Sequence, residues 1–186
     1  MLNEKIEKIM NLCLVSSSKD PIRLFLEITK QDYINMHGPE HHFLDGACIL
    51  TAYYNVTKAI DLKSALEMLV SEAIKMPGGM CGKWGVCGAV SSIGASLAII
   101  DGTGPLSSDG SWGAHMAFTS KAIETMGKIN GPRCCKRDGV LSLEIAIDYL
   151  KETKNITLEK TTYTCPYSQK NKQCLFNHCP YFCIKE

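Results

Sequence analysis

The chain has 186 residues, 45% of them hydrophobic and 21% charged, and its formal net charge is +1. This length fits one domain with a substantial core, and a near-neutral chain without a dense Lys/Arg block argues against a nucleic-acid partner. The N-terminus lacks the apolar run of a signal peptide, and no apolar stretch approaches the ~20 residues of a membrane span. We therefore expect a cytoplasmic protein without a membrane partner.

Helical periodicity dominates the chain and predicts an all-α fold, a mainly helical bundle of about six helices with an irregular Cys-rich C-terminal tail. In chain order, the predicted helices cover about 2–14, 20–36, 39–54, 62–76, 89–100, 112–128 and 140–150. Asp20-Pro21 and Asp61 supply helix starts. Residues 156–163 are rich in Ile, Thr and Tyr and predict at most one short strand. We expect a helical domain over 1–155 and a Cys-rich metal-binding tail over 156–186.

Ten cysteines are the most informative feature of the composition. They are Cys13, Cys48, Cys81, Cys87, Cys134, Cys135, Cys165, Cys174, Cys179 and Cys183. In a reducing compartment, this many thiols indicates metal ligation or redox chemistry more often than disulfides. Free cysteine is also among the most buried residue types, and for Cys13 a simple core position is an equal alternative.

The tail holds four of these thiols within nineteen residues: Cys165, Cys174, Cys179 and Cys183. It has too few apolar residues to fold by burial, whereas metal–thiolate bonds can supply roughly 10–16 kcal/mol. Their spacings, with eight, four and three intervening residues, match neither the paired C-x₂-C zinc pattern nor the C-x₂-C-x₂-C ferredoxin run. The tail therefore predicts a metal site, with zinc and an iron–sulfur cluster both open.

Two further cysteine groups lie in settings that favour the thiolate. Cys81 and Cys87 flank a Gly-rich turn, and Cys87 begins a helix whose free amides lower a thiol pKa. This turn lacks the Lys-Ser/Thr ending of a phosphate loop. Cys134 and Cys135 are flanked by Arg133 and the basic pair at 136–137. They are interpreted as one ligand plus a spare, or as two ligands.

A polar cluster marks the helix start near residue 40. His41, Asp45 and Cys48 are spaced by four and three residues, so they share one helical face. Imidazole, carboxylate and thiolate together can bind a metal or move protons, and Glu40 and His42 adjoin them. The alternative is an ordinary solvated helix end.

These motifs resemble known families. The Cys-Gly-Ala-Val stretch at 87–90 with Gly94 resembles the motif of the cysteine-rich "C-GCAxxG-C-C" redox-active proteins. These are small helical proteins of anaerobes that are thought to bind metal or iron–sulfur cofactors. On the same comparison, Cys48 resembles their early helix cysteine, and Cys134 and Cys135 resemble their late pair. The His-Gly-Pro-Glu-His-His stretch at 37–42, with the Cys-Pro-Tyr tail, resembles an uncharacterised prokaryotic family.

The leading hypothesis is a metal- or iron–sulfur-binding redox or sulfur-handling protein. A cluster, 4Fe-4S by preference, would be held by Cys48, Cys81, Cys87 and one or both of Cys134 and Cys135. The tail would hold a second metal, zinc being the alternative there. If the protein is an enzyme, iron–sulfur-dependent oxidation–reduction or sulfur transfer fits best, with catalytic roles for Cys87, His41 and Glu40.

Two alternatives stay open. One is a zinc-stabilised binding module without catalysis. The other is a metal-free thiol enzyme with Cys87 as nucleophile and His41 as base. The expected partner is a redox protein or a small-molecule substrate, and a homodimer is compatible with the sequence.

Overall fold

The structure, a computed structural model, describes residues 2–183. This part of the chain contains eight α-helices, one short 3₁₀ turn and no β-strand, which confirms the predicted all-α fold. The helices are α1 (Leu2–Val15), α2 (Pro21–Thr29), α3 (His41–Thr57), α4 (Leu62–Ala73), α5 (Met80–Lys83), α6 (Gly88–Asp101), α7 (Ser111–Ile129) and α8 (Cys135–Lys154), and the 3₁₀ turn is Phe176–His178.

Helix α3 is the centre of the bundle. Its residues from His41 to Tyr53 are all buried, and it contacts α1, α2, α4, α6 and α8. A helix that is buried on every side must meet its neighbours closely. At Gly46 an added Cβ would lie 2.7 Å from the Ser92 carbonyl oxygen of α6, and the Gly46 N–H donates to Ser92 Oγ at 2.9 Å. Small residues therefore set the α3–α6 distance.

The predicted helix starts at Asp20 and Asp61 are confirmed. Asp20 Oδ1 accepts from the backbone N–H groups of Ile22 at 2.9 Å and Arg23 at 3.1 Å. Asp61 Oδ1 accepts from the Ser64 N–H at 2.7 Å. Each carboxylate satisfies amides that have no partner within the helix.

Helix α2 ends at Thr29, so the prediction that it runs to about Met36 is wrong. The physical reason is tertiary. The Asn35 N–H donates to Glu40 Oε1 at 2.9 Å, and the Asn35 carbonyl accepts from Lys136 Nζ at 3.0 Å. Backbone groups held by the side chains of Glu40, five residues on, and of Lys136 in α8 cannot join the helical ladder, and the segment turns back toward α3.

The β-prone segment 156–163 forms no strand either. Its backbone hydrogen bonds to other parts of the chain run from the Ile156 N–H to the Leu150 carbonyl of α8 at 3.1 Å and from the Glu159 N–H to the Lys19 carbonyl at 3.0 Å. Leu158 and Tyr163 are buried in the core. The β-branched pattern therefore reports a half-buried extended segment, because no neighbouring strand is present to pair with it.

The tail is irregular, as expected, and it is docked on the helices. Tyr181 Oη donates to Glu144 Oε2 of α8 at 2.6 Å, and Tyr167 Oη donates to Thr29 Oγ1 of α2 at 2.9 Å. The Cys165 N–H donates to the Tyr181 carbonyl at 2.9 Å, which closes the tail on itself. These contacts hold the tail thiols against the start of α8.

None of the helices between residues 2 and 183 combines the length and the apolar character that crossing a bilayer requires.

Candidate functional site

The start of α8 is the structural centre of the site. Cys134 is its N-cap, and its Sγ accepts from the Arg137 N–H at 3.5 Å, as a serine hydroxyl would at the same position. Asp138 Oδ2 accepts from the Cys134 N–H at 3.2 Å and fixes the cap from the other side. The thiol is thereby placed where the tail packs on the helix.

Four thiols line a small cavity between α8 and the tail. They are Cys134, Cys165, Cys174 and Cys179. The cavity measures about 20 Å³, which is room for one water-sized group. Cys183, the fourth tail cysteine, is exposed and does not line it. The structure thus groups three tail cysteines with Cys134 and not with Cys183.

Every one of these four sulfur atoms accepts a backbone N–H. In the tail, the donor is always the residue two positions after the cysteine. The donor–acceptor pairs are Tyr167 with Cys165 (3.4 Å), Phe176 with Cys174 (3.4 Å), Tyr181 with Cys179, and Arg137 with Cys134 (3.5 Å). Hydrogen bonds from N–H groups favour the thiolate over the thiol.

Burial works against ionisation of the same thiols. It is the largest cause acting on Cys134 and Cys179 and raises the pKa of both, while the amide donors and the Arg137 cation act in the lowering direction. Among residues 2–183, no three His, Cys, Asp or Glu side chains already stand as ligands of one metal ion. The sulfur atoms surround a space without converging on a point.

A second, larger cavity opens on the other side of α8. This cleft has a volume of about 470 Å³, within the usual range for small-molecule sites. Its chemically distinctive lining residues are Cys81, Cys87, Ile123, Met126, Arg133 and Arg137. Glycines at 79, 82, 85, 127 and 131 also line it, so no side chain projects into the cleft at these positions.

Arg137 lies between the two cavities and lines both. Its Nε donates to Asp138 Oδ1 at 2.8 Å, and its Nη2 donates to the Pro132 carbonyl at 3.2 Å. Both side chains of this ion pair are more than nine-tenths buried. The Arg137 side chain, held in place by this ion pair, therefore separates the four-thiol cavity from the cleft.

Cys87 is the N-cap of α6 and lines the cleft, as the sequence led us to expect. The expected thiolate is not favoured, however. Burial, followed by the Asp138 carboxylate, raises the Cys87 pKa, and the Ala89 amide opposes this only in part. Cys135 behaves alike, since burial raises its pKa to about 12 despite the basic neighbours in sequence.

Beneath the cysteines lies a buried polar cluster of His41, Asp45 and Lys136. Lys136 Nζ lies 3.1 Å from His41 Nε2. Both Asp45 oxygens and His41 Nδ1 have no hydrogen-bond partner among the described residues. Burial raises the Asp45 pKa well above its ordinary value, lowers that of His41 well below, and lowers that of Lys136 to about 8.

The histidine-rich stretch is not a solvated helix end. Glu40 is buried and accepts from Lys5 Nζ at 3.3 Å as well as from Asn35. His42 Nδ1 lies 3.2 Å from the Met76 carbonyl, and its ring fills the space beside Gly88. His37 bridges the Cys135 N–H and Asn171 of the tail. These residues fix the loop and helix starts around the thiols.

Not every predicted site residue lies at a cavity. Cys48 is fully buried in the hydrophobic core with Cys13 and lines neither cavity. Cys135 lies behind the cleft, where its thiol interacts with the Gly38 amide and with the carboxylates of Asp45 and Asp138. The proposed five-cysteine cluster set is therefore spread over four environments: the core, the cleft, the four-thiol cavity and the site of Cys135.

The sequence interpretation missed Asn171, Lys136 and Asp138. Asn171 is buried, and its Nδ2 lies 3.6 Å from Cys134 Sγ while its Oδ1 lies 3.2 Å from His37 Nε2. Nothing in its sequence context marks it. Lys136 was noted only as a basic neighbour of Cys134 and Cys135, and Asp138 was not singled out, because the helix was predicted from about residue 140 whereas α8 begins at Cys135.

Comparison with known proteins gives one match. No curated protein and no solved structure matches the chain. A family model described as "Family of unknown function (DUF5714)" matches residues 9–182, which includes both cavities and the docked tail. The chain belongs to this family, DUF5714.

Proposed function

We propose that this protein binds a metal centre through Cys134, Cys165, Cys174 and Cys179 and uses it for redox or sulfur-handling chemistry at the adjacent cleft. The observation that carries the proposal is the set of four thiols around one cavity, each facing an N–H donor. Soft thiolates with N–H donors are the ligand set of iron–sulfur clusters and of structural zinc. A cation would draw the sulfur atoms inward and lower their pKa values.

An iron–sulfur cluster is the leading candidate, and to hold one the tail would have to move outward from α8, because the cavity of about 20 Å³ has room for one water-sized group. It would supply one-electron transfer or a site for sulfur exchange. The resemblance of residues 87–90 to the "C-GCAxxG-C-C" redox-active proteins supports this choice. Cys87 faces the cleft, and the Arg137–Asp138 wall lies between it and the four thiols. The His41–Lys136 pair, 3.1 Å apart, is suited to hold a proton beneath this region.

The test begins with protein purified without oxygen, in which iron, acid-labile sulfide and zinc are measured with the visible spectrum. Cys134→Ser is the key variant, because serine is a good helix N-cap and leaves the start of α8 intact. We expect it to lose the metal while the helical circular dichroism persists. Cys174→Ser, in the half-exposed tail, provides a second variant with the same expected loss.

Cys183→Ser is the matched control. It removes a cysteine from the same tail but from outside the cavity, so it should keep full metal content. Loss of metal in Cys183→Ser with retention in Cys134→Ser would overturn the ligand set. Absence of any bound metal in the anaerobic protein would overturn the function.

A second candidate is a zinc-stabilised binding module. The cavity of about 20 Å³ suits a single ion, and the tail is already anchored by Tyr167 and Tyr181. Stoichiometric zinc without sulfide, in a colourless protein, would select this candidate over the cluster.

A further inference from the structure

The cleft beside Cys81 and Cys87 carries an uncompensated positive charge. Two guanidinium groups line it, but Arg137 is neutralised by Asp138, the one acidic side chain in the lining. Arg133 makes no hydrogen bond or ion pair with any residue between 2 and 183. The net charge presented to a ligand is therefore that of Arg133.

The position of Arg133 makes this charge available. The residue is exposed, and its Nη1 lies 3.9 Å from where a Cβ on Gly79 would stand. It thus reaches from the start of α8 across to the turn before α5. A Cβ at this distance would make an ordinary van der Waals contact with the guanidinium, and glycine is favoured at residue 79 by its φ of 80°, which other residues rarely adopt.

The rest of the wall adds an apolar surface. Ile123 and Met126 of α7 line the cleft. A guanidinium prefers planar oxyanions, which it can bind through two parallel N–H groups. A cleft of about 470 Å³ with one such group and an apolar flank fits a small molecule, not a macromolecule.

We infer that the cleft binds a small oxyanion, a carboxylate or phosphate attached to a short apolar group, with Arg133 as its main contact and the Cys81 and Cys87 thiols beside it. This inference rests on the proposed function for calling that ligand a substrate. The binding itself does not require the metal. The ligand's oxyanion would lie near Arg133 and its apolar part near Met126.

Alkylation with a matched pair of reagents tests the inference on the protein as purified. Iodoacetate and iodoacetamide have similar size and the same reacting carbon, whose bond to iodide breaks as the sulfur–carbon bond forms. They differ by one negative charge. Rates are read by peptide mass spectrometry at Cys81, because burial raises the pKa of Cys87 and disfavours the thiolate that alkylation requires. The ratio of the iodoacetate rate to the iodoacetamide rate then reports the attraction for anions.

We expect Arg133→Gln to lower this ratio roughly fivefold, a discounted value for a partly solvated charge pair, with the iodoacetamide rate unchanged. Lys83→Gln is the matched control, since Lys83 is an exposed cation on α5 that does not line the cleft. It should leave the ratio near the wild-type value. An equal ratio in Arg133→Gln and wild type, or an equal fall in Lys83→Gln, would overturn the site.

A second measurement does not depend on the thiols. Inorganic phosphate is added, and its ³¹P line width is recorded. Broadening should occur with wild type and Lys83→Gln and should be lost with Arg133→Gln. Because neither readout requires a bound metal, loss of the metal proposal would leave this result standing, and the reverse also holds.

Discussion

Single buried side chains around the site are in unusual ionisation environments. Asp45 is fully buried, and neither of its oxygens has a hydrogen-bond partner within the described chain. An added Cβ on Gly139 of α8 would stand 2.7 Å from Asp45 Oδ1, so the carboxylate lies directly against that helix. An unsatisfied carboxylate in this position is destabilising when charged, and burial accordingly raises its pKa.

Asp45→Asn should therefore change the pH dependence of stability. Because the folded-state pKa of Asp45 is raised, the stability that its protonated form contributes is lost as pH rises from about 4 through the folded pKa. Asparagine does not titrate. In metal-free protein, the free energy of unfolding of Asp45→Asn should exceed that of wild type by about 1–3 kcal/mol near pH 8, and by less near pH 5.

Urea unfolding at both pH values measures this difference. Asp148→Asn, at an exposed surface ion pair with Lys160, should show nearly the same difference from wild type at both. A variant at position 45 that is less stable than wild type at the higher pH would mean that the charged carboxylate is stabilised, with Lys136 as its partner.

The pKa of Lys136 is shifted downward, in the opposite direction to that of Asp45. Burial lowers its pKa from 10.5 to about 8, so between these values the unfolded chain binds more protons than the folded protein. Wild-type stability should rise with pH over that window, whereas Lys136→Met should lack this rise. The stability of wild type relative to Lys136→Met should thus increase by about 2–3 kcal/mol from pH 7 to pH 10.

Denaturant titrations of both proteins across that range measure the effect, and the other titrating groups cancel in the difference. A constant difference would show that the buried ammonium keeps an ordinary pKa.

At the level of helices, close approach between α3 and α6 positions Cys87 over the core. Gly46 packs on α6 with its N–H bonded to Ser92 Oγ, and the Ser92 backbone carbonyl oxygen lies 2.7 Å from where a Cβ on Gly46 would stand. Backbone atoms of α6 cannot rotate away as a flexible side chain could. The small residues of α6 are thus packing residues.

Gly46→Ala should separate α3 from α6 and lower the free energy of unfolding by about 1–3 kcal/mol. Gly113→Ala in α7 is the matched control, because no atom lies within 4 Å of its Cβ position. There alanine should raise stability by about 0.5–1 kcal/mol, since it loses less conformational entropy in a helix than glycine. Thermal unfolding of both variants, compared with wild type, measures these changes in stability. Equal effects of the two substitutions would contradict the packing argument.

For the whole molecule, local signals predicted the helices, while the composition of the site depended on long-range packing. The caps at Asp20 and Asp61 and the helical spacing of apolar residues depend on local interactions, so the sequence predicted them. The end of α2 was not, because it depends on Lys136 from far along the chain, together with Glu40, five residues after Asn35.

The same limit applied to the ligands. Thiol spacing identified the tail as one group, but it could not show that Cys134 would complete the set and that Cys183 would lie outside it. Helix-start and charge arguments favoured thiolates at Cys87 and Cys135. Burial, which the sequence does not reveal, instead raises the pKa of both thiols.

The docking of the tail links metal binding to the integrity of the whole molecule. Three of the four proposed ligands lie in a segment held otherwise by a few side-chain hydrogen bonds, including those of Tyr167 and Tyr181, and by the burial of Tyr163 and Tyr181 against the core. Removing the metal with a chelator should therefore loosen the tail and leave the α3-centred bundle folded. Trypsin should then cut at the exposed Lys170 and Lys172 at least tenfold faster, the factor for a loss of about 1.4 kcal/mol in local stability. Mass spectrometry of the early fragments identifies the cleavage sites, and restoring the metal should restore protection.

Cys183→Ser should show the wild-type response, whereas Cys134→Ser should be cut fast with or without chelator. Equal cleavage rates for the metal-bound and chelated wild-type protein would show that docking of the tail does not depend on the metal.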